Sequence, residues 1–400
     1  MRYHERMKKN PYHEQQKTLL GGISAKQFFR EYWQKKPLLI RQAMPGFNGL
    51  LDGNELAGLA CEEDVQSRLV SHVRKQWLVE EGPFDESRFA SLGKKHWTLL
   101  VQGVNHHLPE AAELLQRFNF IPHARLDDLM VSFAPDGGGV GPHFDSYDVF
   151  LLQGQGKRLW RISQQKDLTL IDHAPLKILR HFDTEQEFLL GAGDMLYLPP
   201  HVAHWGIAVG DCMTYSIGFR APSEQELATE FLGYLQERTA LQGMYADANL
   251  SLQKHPAEIS ADMVKRVNAM LNKISWSKQT VGEFLGMYLS EPKSHIIFES
   301  RNKASLERFR KSVAVKGLSL DLKTQALFFG DVFFINGERV TMVAGWKGYL
   351  KQLADERRLP PGAVSEFLLH DADFIQWLFN WYLAGYLHTG RCVTYGGRAR

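Results

Sequence analysis

The chain has 400 residues, of which 44% are hydrophobic and 23% charged, and its formal net charge is +2. This composition is typical of a globular protein with two or three domains, and so small a net charge excludes global attraction to nucleic acid or membranes. Three widely spaced cysteines argue against a disulfide framework. The sequence contains no apolar run of about 18 residues, so no membrane span is predicted. We therefore expect a cytoplasmic protein.

The first part of the chain is predicted to be rich in strands. Residues 1–17 are basic and lack the apolar stretch of a secretory signal, so we expect a mobile leader. A helix over residues 24–34 and an extended segment over residues 36–40 follow. Short strands are then predicted over residues 128–133, 148–153, 158–162, 194–198, 204–209 and 213–219. Such spacing favours a β-sandwich or barrel, with hairpin turns predicted at residues 154–156 and 210–211.

A glycine-rich run, residues 137–141, leads into His143 and Asp145. In an extended chain residues i and i+2 point to the same face, so these two side chains can hold one metal ion together. The run lacks the Gly-Lys-Ser/Thr of a Walker motif and is not followed by a helix, which argues against a phosphate loop. We interpret its glycines as positions where backbone approaches the metal site closely.

A third ligand is expected from the segment 193–204, in which His201 and His204 compete. His204 adjoins a predicted strand, whose hydrogen bonds would fix its direction, whereas His201 follows two prolines and is expected on the loop. We therefore predict His143, Asp145 and His204. Two histidines and one carboxylate are the ligand set of non-haem Fe(II) oxygenases, and the lack of a nearby cysteine pair argues against structural zinc.

Arg158 is a candidate anion-binding residue. Its guanidinium could point into the barrel and bind a carboxylate through two hydrogen bonds. Alternatively, Lys157 and Arg158 are solvent-facing charges on an edge strand. Strand alternation places Leu159 and Arg161 on one face and Arg158 and Trp160 on the other. Neither face is cleanly apolar, so the residues alone leave both interpretations open.

Residues 223–300 are predicted to be helical. Ser223 and Glu226 fit a capping box, and apolar residues follow at helical spacing around residues 227–235, 263–271 and 281–288. These helices could close the first domain or form the interface of a homodimer. The sequence does not separate the two.

The last part, from residue 301, combines strands and helices. Residues 330–331 and the Asn-Gly pair at 336–337 lie between strand-like runs and predict hairpins. Helices are predicted over residues 347–357, 363–370 and 373–387, with Gly390 as a stop signal. Helices around a small hairpin are typical of a winged-helix module.

Together these features resemble the JmjC-type Fe(II)- and 2-oxoglutarate-dependent oxygenases, most closely the bacterial ribosomal oxygenases. The resemblance is carried by the motifs YWQKKP (32–37), SRLVSH (67–72), LLVQGVNH (99–106), DDLM (127–130), residues 137–150 and YSIGFRAP (215–222). It implies a double-stranded β-helix of the jelly-roll or cupin type over residues 1–222. A helical dimerisation region over residues 223–300 and a winged-helix-like domain over residues 301–400 would follow.

The resemblance also implies an activity, namely hydroxylation of an arginine side chain of the sixteenth protein of the large ribosomal subunit. The cofactor would be Fe(II), held by His143, Asp145 and His204, with 2-oxoglutarate and O2 as cosubstrates. Arg158 matches the basic residue that binds the distal 2-oxoglutarate carboxylate. The expected partners are the ribosomal protein and a second copy of this chain.

The same resemblance implies a substrate pocket near Asp128, Met130, Tyr147 and Ser216. Asp128 would pair with the substrate guanidinium, and Met130 and Tyr147 would flank its aliphatic stem. Alternatively, Met130 and Tyr147 are ordinary core residues. One position departs from the family: close relatives have a small hydroxyl residue where this chain has Ala134, so one hydroxyl contact to 2-oxoglutarate is missing.

Two other functions stay open on the sequence. The chain could be an oxygenase of another protein or of a small molecule, acting as a hydroxylase or demethylase. It could also be a nucleic-acid-binding regulator whose barrel senses a metabolite. That role needs a basic recognition helix, for which the candidates are Lys347, Lys351, Arg357 and Arg358. These alternate with acidic residues, as on a solvated helix face, so direct nucleic-acid binding is not expected.

Overall fold

The computed structural model describes residues 18–74, 76–301 and 304–390. The predicted leader over residues 1–17 lies outside the described residues. The chain forms two compact units. The first holds the described residues up to Ala221, Lys293–Thr324 and those from Arg357 onward, and the second holds Pro222–Pro292 and Gln325–Glu356. No helix among the described residues is long and apolar enough to span a bilayer.

The helices, numbered along the chain, are α1 Ala25–Glu31, α2 Gly53–Leu59, α3 Glu86–Ala90, α4 Pro109–Gln116, α5 Glu224–Arg238, α6 Ala261–Leu271, α7 Lys278–Ser290, α8 Leu306–Lys316, α9 Lys347–Glu356, α10 Glu366–Leu369 and α11 Ala372–Ala384. The strands are β1 Leu38–Ile40, β2 Ser67–Val73, β3 Gln76–Glu81, β4 Trp97–Val101, β5 Leu126–Ala134, β6 Val149–Gln153, β7 Lys157–Ser163, β8 Gln186–Leu190, β9 Met195–Leu198, β10 Ala203–Val209, β11 Cys212–Phe219, β12 Leu318–Leu320, β13 Ala326–Phe329, β14 Val332–Ile335, β15 Glu338–Thr341, β16 Arg358–Leu359 and β17 Leu387–Thr389.

The part of the first unit up to Ala221 is built on two antiparallel sheets, and a third sheet of the order β16-β12-β17 lies in its C-terminal segments. Of the first two, the larger has the order β1-β9-β6-β11-β5-β4-β2-β3, and the smaller has the order β10-β7-β8. Leu151 and Leu196 of the larger sheet pack with Trp160 and Leu190 of the smaller one. The opposite face of the larger sheet is covered by a second apolar cluster that includes Phe28 of α1. The predicted sandwich is therefore confirmed.

The two predicted hairpins are wrong, although the turns exist. Gly156 and Gly210 adopt the expected positive φ values of 65° and 70°. However, β6 pairs with β9 and β11, while β7 pairs with β8 and β10. Each turn therefore carries the chain from one sheet to the other. Glycine sets the local backbone, whereas packing between distant segments decides which strands pair.

A buried carboxylate anchors the entry to β6. Asp148 is fully buried and accepts hydrogen bonds from the Tyr197 hydroxyl (2.6 Å), Gln34 Nε2 (3.0 Å) and Arg125 Nη2 (3.3 Å). The YWQKKP motif thus supplies one of its donors. Because Asp148 lies only three residues after Asp145, this network anchors the segment that carries two of the three predicted metal ligands.

The helical and C-terminal predictions are largely confirmed. The Ser223 capping box opens α5, and Asn336 and Gly337 turn between β14 and β15 with φ values of 49° and 83°. The helix predicted over 363–370 is reduced to α10, which begins after its N-cap Ser365. The helix predicted to reach residue 387 ends at a left-handed C-cap, Gly385. Helices α2 to α4 and α8 and strands β2 to β4, β8, β12, β16 and β17 were not predicted.

Candidate metal centre and ligand pocket

Backbone pairing brings His143 and His204 together. They exchange two hydrogen bonds, His143 N–H to the His204 carbonyl at 2.9 Å and the reverse at 2.7 Å. Directly opposed residues in an antiparallel pair point to the same side. The ligand atoms of His143, Asp145 and His204 all lie within 4.8 Å of one another. These three side chains could therefore hold one metal ion.

On both His143 and His204, a hydrogen bond at Nδ1 leaves Nε2 free to bind a metal. Nδ1 of His143 lies 2.9 Å from the Gly141 carbonyl, and Nδ1 of His204 lies 2.9 Å from the Val202 carbonyl. A proton on Nδ1 leaves Nε2 as the electron-pair donor that a metal needs. Burial lowers the pKa of His204 to about 4, which keeps the imidazole neutral. This donor set fits a divalent metal of the iron type.

His201 lies outside this cluster of ligand atoms. It is exposed, with a left-handed φ of 65°, and its backbone N–H donates to the Asp145 carbonyl at 2.8 Å. Its contribution to the site is through the backbone. This makes His201 a natural control position for tests of the ligand set.

The glycine run lies against β10, the strand that carries His204. A Cβ atom on Gly139 would lie 2.3 Å from the Gly206 carbonyl oxygen, and one on Gly138 would lie 2.2 Å from the Trp97 carbonyl oxygen. The run also pairs with Ala208 through two backbone hydrogen bonds. Larger residues would push the run away from β10, so the glycines serve close backbone approach.

Arg158 points into the sandwich from β7, the middle strand of the smaller sheet. It is 5% exposed, and its Nε and Nη2 have no hydrogen-bond partner. Arg161, on the opposite face of β7, pairs instead with Glu187 at 2.6 Å. A buried cation with unpaired donors costs free energy unless an anion joins it. The pocket therefore fits a ligand carboxylate, which is the chemistry expected of 2-oxoglutarate.

Ala134 lies at the end of β5 in a small buried cluster with Ala208 and Cys212. Leu99 of β4 pairs with Phe133, so the preceding Thr98 lies beside Ala134 on the inner face. Thr98 is fully buried and its hydroxyl has no partner. The inner face thus has an unpaired hydroxyl next to Ala134, the position at which the resemblance leads us to expect a hydroxyl residue.

The predicted substrate residues converge on the inner face of the larger sheet. Met130 pairs with Ser216 across β5 and β11, and Asp128 lies on the same side of β5. Asp128 and Tyr147 both lie next to Gly218, since a Cβ atom on Gly218 would lie 3.9 Å from the Asp128 carboxylate and 3.9 Å from the Tyr147 ring. Tyr147 is 43% exposed, which is inconsistent with an ordinary core residue. Burial, reinforced by the Asp127 carboxylate, raises the pKa of Asp128.

A short turn formed by residues 103–106 positions Asp128. The Gly103 N–H donates to Asp128 Oδ2 at 3.2 Å, and Asn105 Oδ1 accepts the Leu129 N–H at 2.9 Å. Both residues belong to the LLVQGVNH motif. The motif itself was the available signal, but its chemistry became visible only when the turn was placed beside β5.

The same turn provides a pH-sensitive element of stability. Burial lowers the pKa of His106 from its ordinary 6.5 to about 3. Between those values the unfolded chain binds a proton that the folded protein does not, so stability falls as the pH falls. From pH 7 to 5.5 we expect the wild type to lose about 1 kcal/mol more unfolding free energy than His106→Leu. Urea unfolding at both pH values measures the difference, and parallel losses would contradict it.

Three of the four basic residues considered for nucleic-acid binding make contacts within their own unit. In the second unit, Lys347 pairs with Asp331, and Lys351 lies 4.8 Å from the Phe328 ring centroid. In the first unit, Arg357 donates to the Thr324 carbonyl at 2.9 Å. These contacts give the residues structural roles.

Comparison with known proteins identifies two family models along the chain. A JmjC domain matches residues 113–227, and a ROXA-like winged helix matches residues 270–388. The first match contains the cluster of His143, Asp145 and His204 as well as Arg158. The predicted order of a JmjC double-stranded β-helix, a helical region and a winged helix is thereby confirmed.

Individual relatives agree with these models. Ribosomal protein uL16 3-hydroxylase of Escherichia coli is 36% identical over 324 residues, 78% of this chain and 84% of the relative. A probable ribosomal oxygenase of Haemophilus influenzae is 41% identical over 51% of this chain and 52% of its own length. The structure of the E. coli ribosomal oxygenase YcfD with cobalt and 2-oxoglutarate superposes with a TM-score of 0.80 and 31% identity, covering 92% of this chain and 98% of that one.

Proposed function

This chain belongs to the JmjC-type ribosomal oxygenases, which are 2-oxoglutarate-dependent dioxygenases, and on that premise we propose that it hydroxylates one arginine of the large-subunit ribosomal protein uL16. The E. coli relative is a uL16 3-hydroxylase. The observation that carries the proposal is the buried Asp128 carboxylate, which faces the interior of the sandwich on the same side as Met130 and Ser216. A carboxylate in that position suits a guanidinium through paired hydrogen bonds.

In this proposal His143, Asp145 and His204 hold Fe(II), and Arg158 binds the distal carboxylate of 2-oxoglutarate. With O2, the bound metal and cosubstrate supply the oxidising chemistry, which converts 2-oxoglutarate to succinate and CO2 and inserts one oxygen into the substrate. The remaining tasks belong to the protein. Arg158 orients the cosubstrate, and the buried walls of the sandwich exclude water from the reacting groups.

Asp128 orients the substrate. Its carboxylate accepts the guanidinium, while Met130 and Tyr147 lie beside the aliphatic stem. This arrangement would hold one carbon of the arginine side chain in line with the metal. A lysine has the same charge but only a single-point ammonium, so it would be held less precisely. The Gly103 and Asn105 hydrogen bonds keep Asp128 and the adjacent backbone in place.

The decisive experiment is turnover of 2-oxoglutarate against purified ribosomal proteins, read out by intact mass and fragmentation. We expect one protein to gain the mass of one oxygen on one arginine, dependent on Fe(II) and 2-oxoglutarate. Turnover with a different protein or a small molecule, with uL16 unchanged, would favour the alternative oxygenase. Failure of the intact protein to bind Fe(II) would eliminate both. Because ribosomal proteins are made in the cytoplasm, the proposal places the enzyme there.

The helical region is proposed to form a homodimer. Within the second unit a groove of about 820 Å³ is lined by apolar side chains, among them Leu232, Leu271 and Trp276. Leu232, Val264, Leu271 and Trp276 are each more than half exposed. Exposed apolar surface of this kind is typical of an interaction site, and a C2 partner would cover it with the same residues.

Leu232→Asp is expected to convert the dimer to a monomer, because it places a charge in the apolar contact on both copies. An interface anchor typically contributes about 2 kcal/mol or more, so the dissociation constant of the dimer should rise by at least about 30-fold. Light scattering after size-exclusion chromatography measures the mass. Val315→Asp, at an apolar residue of α8 that is also more than half exposed, is the control and should leave the mass unchanged. A monomeric wild type would contradict the proposal.

A further inference from the structure

Lys293 contacts the carboxylates of the proposed substrate pocket. Its Nζ lies 2.9 Å from Asp127 Oδ1 and 3.8 Å from Asp128 Oδ2. The Lys293 side chain is 39% exposed, whereas that of Asp128 is 13% exposed. The ammonium therefore reaches the pocket from the solvent side.

The carboxylates of Asp127 and Asp128 differ in the cations that pair with them. Asp127 also pairs with Arg220, whose Nε lies 3.4 Å away. Asp128 accepts a hydrogen bond from the Gly103 N–H. Among the described residues, Lys293 is the cation that lies within ion-pair distance of it. The buried carboxylate is thus held by a long and incomplete ion pair. A planar guanidinium could bind it better, since two N–H groups can face both oxygens.

Resting on the proposed function, in which Asp128 binds the substrate arginine, we propose that Lys293 is an intramolecular competitor for the substrate. Its ammonium occupies the cation position beside Asp128 until the arginine displaces it. The exchange conserves charge at the buried carboxylate, which therefore has a cation nearby in both states. When no substrate is bound, Lys293 provides a cation beside the buried Asp128 carboxylate. It thereby lowers the affinity of the pocket for the substrate.

Two features make this exchange feasible. Lys293 keeps Asp127 as a partner after it leaves Asp128, because Asp127 is its closer contact. Like charges repel, so the bound guanidinium itself would favour outward movement of the ammonium. Lys293 then acts on substrate binding and leaves the oxidation steps unaffected, which separates its role from that of a catalytic residue.

The test compares wild type with Lys293→Gln and Lys293→Arg. The probe is a peptide spanning the arginine that the wild type hydroxylates. For Lys293→Gln we expect KM to fall about two- to fivefold, as for loss of a partly exposed ion pair, with kcat unchanged. The Kd of the peptide for the Fe(II)- and 2-oxoglutarate-loaded protein without O2 should fall by the same factor. Lys293→Arg keeps the cation and should bind the peptide no more tightly than wild type.

Lys311→Gln is the charge-matched control, because Lys311 pairs with Glu307 on the surface of α8. It should leave both constants unchanged. An unchanged KM for Lys293→Gln would overturn the competitor role, and a raised KM would overturn it and indicate instead that Lys293 holds Asp128 in place. If the wild type hydroxylates no arginine, the proposed function falls and this inference falls with it. Arginine hydroxylation with equal KM for wild type and Lys293→Gln overturns the inference alone.

Discussion

Asp145→Ala should abolish 2-oxoglutarate turnover while leaving the fold intact. It removes the one carboxylate from a cluster whose ligand atoms lie within 4.8 Å of one another. Loss of a hydrogen bond to a metal ligand already costs about 10- to 100-fold in affinity, so loss of a ligand should cost at least about 100-fold. Anaerobic titration with Fe(II) or Co(II) measures the affinity. Because the Asp145 side chain is 24% exposed, we expect little change in thermal stability.

His201→Asn is the matched control for the ligand set. His201 lies in the turn just before β10, three residues ahead of His204, but its side chain is exposed and lies outside the cluster. Asparagine tolerates the left-handed φ of 65° and preserves the backbone N–H that donates to the Asp145 carbonyl. Metal affinity and turnover should therefore stay within about twofold of wild type, as for a surface substitution. Loss of metal from His201→Asn and retention by Asp145→Ala would together refute the predicted ligand set.

Arg158→Met should weaken 2-oxoglutarate binding by about 30-fold or more, since truncating one member of a buried, hydrogen-bonded charge pair costs about 2–5 kcal/mol. The metal site should remain occupied. Without 2-oxoglutarate, the Arg158 Nε and Nη2 are buried and unpaired, so methionine should maintain or raise the melting temperature. Calorimetry gives the affinity, and thermal unfolding with and without 2-oxoglutarate gives the stabilisation by the ligand.

Arg161→Met removes the same charge from the same strand but from the opposite face. Arg161 is 34% exposed and pairs with Glu187, so its loss should not affect the 2-oxoglutarate affinity. The two variants therefore separate a local charge contact from a general effect of charge on β7. If 2-oxoglutarate still stabilised Arg158→Met as much as wild type, another group would have to bind the distal carboxylate. Thr98, the buried hydroxyl without a partner, would then be the next candidate.

The cluster of His143, Asp145 and His204 could be predicted because its signal is local. His143 and Asp145 are two residues apart, and a strand next to His204 is predicted directly from its neighbours. The capping box at Ser223 and the Asn-Gly turn at residues 336–337 are local in the same sense. In each case a few adjacent residues fix the backbone, and the side chains follow.

Arg158 shows where local information ends. Alternation along β7 separated Arg158 from Arg161 but could not tell which face was the interior. That was decided by the packing of the two sheets, in which Trp160, on the same face as Arg158, packs with apolar residues of the larger sheet. Strands β8 and β10 flank β7 on both sides, so β7 is not an edge strand. The wrong hairpins at residues 154–156 and 210–211 have the same origin, because a turn does not specify the sheet that its strands join.

The sequence by itself determined the ligand types, the strand-rich catalytic part and the family resemblance, because these depend on residue identity and short spacing. Only the tertiary structure decided which side of β7 is buried, how Gly103 and Asn105 hold Asp128 and its neighbour, and that Lys293 reaches the same carboxylate. Those contacts join segments far apart in the chain. Their formation depends on strand register and on burial of apolar faces, which no short stretch of sequence contains.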